Sequence, residues 1–149
     1  MKTHFHLDRP SEAPFLGVGV GLRPVHYAAI LDNTSVARCG IDFVEAISEN
    51  YMISGGRPLR ALANVRARLP IVLHGVSMNI GSCDPLDAAY LDRLAALSAR
   101  FEPAWISDHL CFTGVAGRTL HDLVPLPRNE ACIRHVAERV ARVQDRLHR

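Results

Sequence analysis

The sequence predicts an α/β fold of parallel (β/α) units, amounting to about four of the eight units of a TIM barrel. Apolar, strand-like runs alternate with amphipathic helical segments at intervals of about 30 residues, which is typical of a parallel sheet. Two of these runs end in histidine, at His74 and His109, where the carboxyl ends of barrel strands carry functional residues. The 149 residues are about half of what a closed barrel needs. An open doubly wound sheet is the competing architecture.

The first unit contains alternating glycines. Gly17, Gly19 and Gly21 lie within the predicted strand 15–22, a pattern that suits close approach of neighbouring backbone. Their spacing is not that of a dinucleotide-binding loop, so we predict no nucleotide site here. A helix is expected over 24–31, because a proline in the first helical turn loses no hydrogen bond.

The second and third units each combine a strand with a helix. We predict strands over 41–48 and 71–77, both rich in apolar residues. A helix over about 58–69 follows the first strand, and Asp84 with Pro85 is expected to begin the helix after the second. Each helix carries its leucines on one face, which is the face expected to cover the sheet.

The fourth unit is longer than the others. Its strand is predicted over 104–112 and is followed by a polar excursion over 113–127. Asn129 is expected to cap a last helix. The predicted apolar stripe of that helix consists of Ile133, Val136, Val140, Val143 and Leu147. The arginines expected on its solvent-facing side and end are Arg134, Arg139, Arg142, Arg146 and Arg149.

Composition limits the class of protein. The chain is 48% hydrophobic and has a net charge of +2, with both signs interspersed. Such a chain can bury the core of one domain and offers no basic surface for nucleic acid. We find no signal peptide and no apolar run of about 20 residues, so we predict a cytoplasmic protein without membrane contact. We expect a flexible segment over 1–14 and one domain, the amino-terminal half of a (β/α)₈ barrel, over 15–149.

The cysteines carry no recognisable pattern. None of the four belongs to a Cys-x-x-Cys pair. This argues against a structural zinc site and against a disulfide framework. We expect reduced and mostly buried thiols at Cys39, Cys83, Cys111 and Cys132.

Strand parity predicts which side chains meet, because residues two apart point to the same face of a sheet. In the fourth strand, Ser107 and His109 share one face, and Asp108 lies on the more apolar face that we expect to meet the helices. Glu45 is a candidate for the inner face, because a carboxylate within a strand is costly unless it is paired or binds a metal. Glu49 is expected at the rim, where its strand ends.

A metal site at the carboxyl rim is the leading hypothesis. Neutral imidazoles with carboxylates suit iron, manganese or zinc, and the absence of a cysteine cluster argues against a thiolate site. Asp108 is expected either to orient a ligand imidazole or to bind the metal itself. The candidate metal ligands are His74, His109, Glu45, Glu49 and Asn50, and the candidate catalytic residues are Asp108, His121 and Asp122.

Simpler interpretations stay open for each residue taken alone. A strand-end histidine is more often hydrogen-bonded within the packing than a ligand, and Glu45 could pair with a core arginine. However, three strand ends carry ligand-type side chains, and one common site explains them more economically than separate packing roles.

Five segments of the sequence carry a resemblance to a known family. They are GVGVGLR at 17–23, EAISENYM at 45–52, LHGVSMNIG at 73–81, SDHLC at 107–111 and HDLVPLP at 121–127. On these segments the chain resembles the MbnB/TglH-like proteins, multinuclear iron enzymes once filed as an uncharacterised protein family. The segments cover nearly the whole chain in the expected order.

The resemblance implies a xylose-isomerase-like TIM barrel with two or three irons at the carboxyl ends of its strands. Members of this kind act with a partner protein on ribosomally made precursor peptides in natural-product biosynthesis, and use dioxygen to modify cysteine. His74 and His109 match the family's early iron-binding histidines. The other matching motif positions, whose roles the resemblance does not settle, are Glu45, Glu49, Asn50, Asp108, His121 and Asp122.

The length of the chain departs from that family. Members are nearly twice as long, and their later strands carry further ligands, so the resemblance implies a truncated form that is inactive or needs a complementary half. Two other functions stay open. One is a non-catalytic remnant or interaction module, which could pair with a second copy as a homodimer. The other is a divalent-metal isomerase or endonuclease-like barrel, which would not explain segment 121–127.

Overall fold

The computed structural model describes residues 15–32 and 38–149 and contains a four-stranded parallel sheet in the order β1–β2–β3–β4. Its strands are β1 Gly19–Gly21, β2 Phe43–Ile47, β3 Ile71–Gly75 and β4 Ile106–Asp108. The helices are α1 Tyr27–Leu31, α2 Arg57–Arg66, α3 Ala88–Phe101 and α4 Glu130–Leu147. The α/β class with parallel units is therefore confirmed. The expected flexible segment 1–14 lies outside the described residues.

One face of the sheet meets the helices. Val44, Ala46 and Leu73 are fully buried and belong to a single hydrophobic cluster with Leu62 of α2 and Leu94 of α3. On the opposite face, which we call the inner face, alternate residues of β2 are only partly buried. The alternation follows from the two-residue period of a strand, with the apolar positions turned toward the helices.

The glycines of the first strand have a packing role. The strand is shorter than predicted and runs only over Gly19–Gly21. The ring of Phe43 lies directly over Gly19, where a Cβ atom would collide with it. Glycine at this position lets the aromatic ring of the neighbouring strand approach the backbone of β1.

The fourth unit differs from the prediction of one strand over 104–112 followed by a polar excursion. β4 ends at Asp108, and a separate antiparallel hairpin follows, with strands β5 Cys111–Val115 and β6 Arg118–Pro125. Its two-residue turn places Ala116 and Gly117 at φ +52° and +70°. Positive φ at both central residues is the type I′ geometry, which matches the twist of the flanking strands.

The expected cap of the third helix is also displaced. Asp87, not Asp84, caps α3, and its carboxylate accepts a hydrogen bond from the Tyr90 N–H. The Asp84 carboxylate instead accepts from the N–H groups of Ala116 and Gly117 in the hairpin turn. These two hydrogen bonds hold the pKa of Asp84 below its usual range. Asp84 therefore ties the loop after β3 to the hairpin.

The last helix is capped as expected, but its buried face follows the predicted apolar stripe only in part. Asn129 accepts a hydrogen bond from the Cys132 N–H, as predicted. Ile133, expected in the apolar stripe, is 67% exposed, whereas Val143 is buried. Arg139 was expected in solvent and is buried instead, because its guanidinium donates to the carbonyl oxygens of residues 79, 80 and 84. A buried arginine with three accepting carbonyls has its charge well solvated by the protein.

The burial of the cysteines and the length and apolar character of the helices each bear on an expectation from the sequence. Of the cysteines, Cys111 is buried and Cys132 partly buried, whereas Cys39 and Cys83 are exposed, so the expectation of mostly buried thiols is only half right. Within 15–32 and 38–149, the chain forms no helix with the length and apolar character needed to cross a membrane.

Candidate metal centre

Two imidazole rings converge at the carboxyl rim of the sheet. His74 lies near the end of β3, and His109 directly follows β4. Their Nε2 atoms are 3.1 Å apart, and their ring centroids are 4.7 Å apart at an interplanar angle of 71°. Both residues are partly buried. The predicted convergence of the two rings is thus what the structure shows.

The separation of the two nitrogens fits a shared cation. Two imidazole nitrogens that bind one first-row metal at about 2.1 Å each lie about 3.0 to 3.4 Å apart. The observed 3.1 Å falls within that range. Without a metal, the same contact is a hydrogen bond in which one ring donates its Nε2–H to the other. The chemistry and the spacing of the two nitrogens therefore fit two ligands of one cation.

Ser107 contacts the second ring nitrogen of His74, Nδ1. Ser107 is the register partner of His74 across the β3–β4 pair, so their side chains lie on the same face. The Ser107 Oγ atom is 2.9 Å from Nδ1 of His74. The ring nitrogen that faces away from His109 is thus already hydrogen-bonded.

Glu49 lies at the rim, where its carboxylate has hydrogen-bond partners other than the histidine pair. It belongs to a 3₁₀ turn, Ser48–Tyr51, that directly follows β2. Its Oε1 accepts hydrogen bonds from the N–H groups of Val76 and Ser77, both at 2.9 Å, and from the Tyr90 hydroxyl at 2.8 Å. One carboxylate oxygen therefore holds the backbone that leaves β3, and the other, Oε2, is buried without a hydrogen-bond partner.

Asp108 occupies the helix-facing side of the sheet. It is the register partner of Gly75, and its Oδ2 lies over that glycine, close to where a Cβ atom would be. Its Oδ1 accepts a hydrogen bond from the backbone N–H of His109 at 2.7 Å, whereas Oδ2 is buried without a partner. Burial raises the pKa of Asp108 to about 6, and the nearby Glu49 charge acts in the same direction. Asp108 thus positions His109 through the backbone.

Two predicted ligands lie farther from the histidine pair. Glu45 is partly buried on the inner face, in register with Val72, which is two residues before His74. Asn50 is exposed in the 3₁₀ turn. The structure therefore places Glu45 one layer below the rim and Asn50 at the surface.

The two candidate residues of the hairpin form a separate surface. His121 and Asp122 lie in β6 and are exposed. They line a groove with Ser77, Asp84 and Arg118, and neither His74 nor His109 belongs to that lining. The structure does not bring them to the histidine pair. Across the described ranges 15–32 and 38–149, no group of three or more His, Cys, Asp or Glu side chains is arranged to hold a metal ion.

Sequence reasoning missed the role of Tyr90. Tyr90 is buried on α3 among leucines, and its hydroxyl donates to Glu49. Burial and this hydrogen bond raise the pKa of Tyr90 above its usual range. A tyrosine in an otherwise aliphatic stripe was the available signal, because a buried phenol needs a polar partner.

The fold and the site define the chain as half of a parallel (β/α) barrel with a histidine pair at its carboxyl rim. The family model described as "RiPP precursor modification enzyme MbnB/TglH/ChrH", where RiPP denotes a ribosomally made, post-translationally modified peptide, matches residues 17–149. The chain belongs to this family.

Curated relatives agree with that assignment. The chain is 52% identical over 136 residues to a UPF0276 protein of Caulobacter vibrioides, an alignment that covers 91% of this chain and 48% of the relative. It is 54% identical over 134 residues to a UPF0276 protein of Anaeromyxobacter sp. (strain Fw109-5), covering 90% and 46%. For the UPF0276 protein of Acaryochloris marina, the identity is 46% over 133 residues, covering 89% and 46%. The chain spans about half the length of the curated relatives it matches.

Proposed function

We propose that this chain supplies the two-histidine edge of an iron site in an enzyme that oxidatively modifies cysteine in a ribosomally made peptide. The observation that carries the proposal is the 3.1 Å approach of Nε2 of His74 to Nε2 of His109 at the rim of the sheet. Family membership supports a peptide substrate, because the matching family is described by precursor modification.

The chain's own residues would hold and position the ligands. His74 and His109 would bind the iron through Nε2, and Ser107 and the backbone contact of Asp108 would orient the two rings. A bound iron would supply redox chemistry toward dioxygen, which amino-acid side chains alone lack. Glu49 would keep the rim in place through the backbone of residues 76 and 77.

Two imidazoles are too few to hold a cluster of two or three irons, so we propose that further ligands come from a complementary half-barrel. In the part of the chain that the structure describes, β4 pairs with β3 alone, on one of its two edges. A groove beside β4 is lined by Trp105 and His109 and by the apolar residues Val143 and Leu147 of α4. A parallel strand of the complementary half would fill this groove and cover the apolar surface.

The test is reconstitution with the uncovered half of the Caulobacter relative. The two pieces are co-expressed, purified together and loaded anaerobically with Fe²⁺. We expect at least one equivalent of iron in the complex and less than one-tenth in the His74→Ala/His109→Ala double variant. The loaded complex is then exposed to dioxygen with cysteine-containing peptides encoded beside the gene.

Mass spectrometry decides the chemical part of the proposal. A mass change confined to the cysteine of one peptide supports oxidative modification. A complex that binds iron through both histidines but leaves every cysteine mass unchanged would overturn it. Equal iron content in the complex and the double variant would overturn the ligand assignment itself.

A further inference from the structure

We propose that Ser107 is a positioning residue that fixes the tautomer of His74, with the ring proton on Nδ1 and the free lone pair on Nε2. This inference rests on the proposed function, because it concerns how His74 is prepared as a metal ligand. A neutral imidazole carries one proton on either of two nitrogens, and only the unprotonated nitrogen binds a metal.

The hydroxyl of Ser107 has a single hydrogen to donate. Ser107 Oγ lies 2.9 Å from Nδ1 of His74 and 3.5 Å from the carbonyl oxygen of Leu73. The carbonyl can only accept, so any hydrogen bond across this long, weak contact is donated by the hydroxyl. Its lone pair then accepts from Nδ1–H of His74. This arrangement satisfies both contacts at once, whereas a hydroxyl that donates to Nδ1 leaves the contact with Leu73 unused.

The tautomer of His74 dictates the state of its neighbour. With Nε2 of His74 unprotonated, the 3.1 Å contact between the two rings is a hydrogen bond only if Nε2 of His109 carries a proton. His74 is therefore ready to bind a cation, and His109 must first move its proton to Nδ1. Ser107 thus makes the two histidines unequal, although they lie side by side.

Nitrogen NMR of the metal-free, full 149-residue chain tests the tautomer directly. Two-bond ¹H–¹⁵N correlations at a pH where the rings are neutral show which ring nitrogen is protonated. We expect Nδ1–H for His74 in the wild type, and a shift toward Nε2–H in Ser107→Ala. Ser107→Thr, which keeps the hydroxyl, restores Nδ1–H. The exposed Ser77→Ala at the same rim leaves the spectrum of His74 unchanged.

Affinity for Fe²⁺ alone, measured anaerobically, is the second readout. We expect Ser107→Ala to bind Fe²⁺ about 10- to 100-fold more weakly than the wild type, the usual loss for a group that orients a ligand histidine. Ser107→Thr and Ser77→Ala should bind as the wild type does. His74→Ala serves as the reference for complete loss of the ligand.

The outcomes separate this inference from the proposed function. If His74 carries its proton on Nε2 in the wild type, or keeps Nδ1–H in Ser107→Ala, the role of Ser107 is refuted even though His74→Ala weakens Fe²⁺ binding. If His74→Ala binds Fe²⁺ as tightly as the wild type, the metal site itself is refuted.

Discussion

The carboxylate of Glu49, in the 3₁₀ turn after β2, accepts a 2.8 Å hydrogen bond from the hydroxyl of Tyr90 on α3. The same oxygen accepts from the N–H groups of Val76 and Ser77, so one atom connects the ends of two strands and a helix. These hydrogen bonds offset the cost of placing a charged side chain at a partly buried position. It also makes Glu49 a structural element of the rim on which the histidine pair depends.

Replacing Glu49 should therefore lower the free energy of unfolding. Hydrogen bonds to a charged group contribute about 1.5 to 3 kcal/mol each and are not additive, so we expect Glu49→Ala to lower the free energy of unfolding by about 3 kcal/mol. Urea unfolding followed by circular dichroism measures this. The matched control is the exposed Glu138→Ala, with an expected change within about 0.5 kcal/mol. Equal midpoints for the two variants would contradict the structural role.

Because of Asp108, the free energy of unfolding should fall as pH rises from about 4 to about 6. Burial raises its folded pKa from 3.8 to about 6, so ionising it costs more in the folded than in the unfolded state. The penalty is absent below the unfolded pKa and complete above the folded one. Asp108→Asn should remove this slope and be more stable than the wild type by about 1 to 2 kcal/mol at pH 7.5, a size reduced because the side chain is partly exposed.

Unfolding free energies from pH 3.5 to 7.5, measured without metal, test the Asp108 prediction. The exposed Asp145→Asn on α4 is the control and should keep the wild-type slope. A wild-type profile whose slope survives in Asp108→Asn would assign the effect to other groups.

Arg139 should be important for the loop after β3. Its guanidinium donates to three backbone carbonyls of residues 79–84. Arg139→Met leaves these carbonyls without their partner, and we expect a loss of about 3 kcal/mol in unfolding free energy. Arg142→Met, an exposed neighbour on the same helix, should change it by less than about 0.5 kcal/mol. Comparable losses in both variants would show that helix propensity, not the loop contact, is responsible.

Gly75 should tolerate no side chain. A Cβ atom there would collide with Oδ2 of Asp108 and crowd the Tyr90 hydroxyl. We expect Gly75→Ala to lower the free energy of unfolding by about 1 to 3 kcal/mol, the usual cost of overpacking. Gly55→Ala is the control, because a Cβ at Gly55 meets open space and should be neutral or slightly stabilising. Thermal unfolding that ranks the two variants equally would argue against the close packing.

The parts of the fold that follow from periodicity could be predicted from the sequence. Apolar runs and helical stripes gave the four strands and the order of the helices, because burial repeats with the period of each element. Parity in the fourth strand also placed Ser107 beside the histidines and Asp108 on the helix side, as the register shows.

Other features depend on contacts that periodicity does not encode. Glu49 was expected at the rim as a candidate ligand, but it lies in the 3₁₀ turn Ser48–Tyr51 and accepts hydrogen bonds from the backbone of residues 76 and 77. Arg139 was expected in solvent because it lies among other arginines, and only the distant carbonyls of residues 79–84 make its burial favourable. The Asp84 contact with the hairpin turn joins residues 32 or more positions apart.

The most direct test of the central claim is a titration of the metal-free protein with Zn²⁺, a diamagnetic substitute for iron, followed by ¹⁵N NMR of the histidine rings. We predict that the Nε2 signals of His74 and His109 change together, at the same metal concentration, while those of His121 and His135 stay unchanged. A titration in which one of the two rings binds Zn²⁺ without the other, or in which His121 or His135 binds it first, would contradict the shared site.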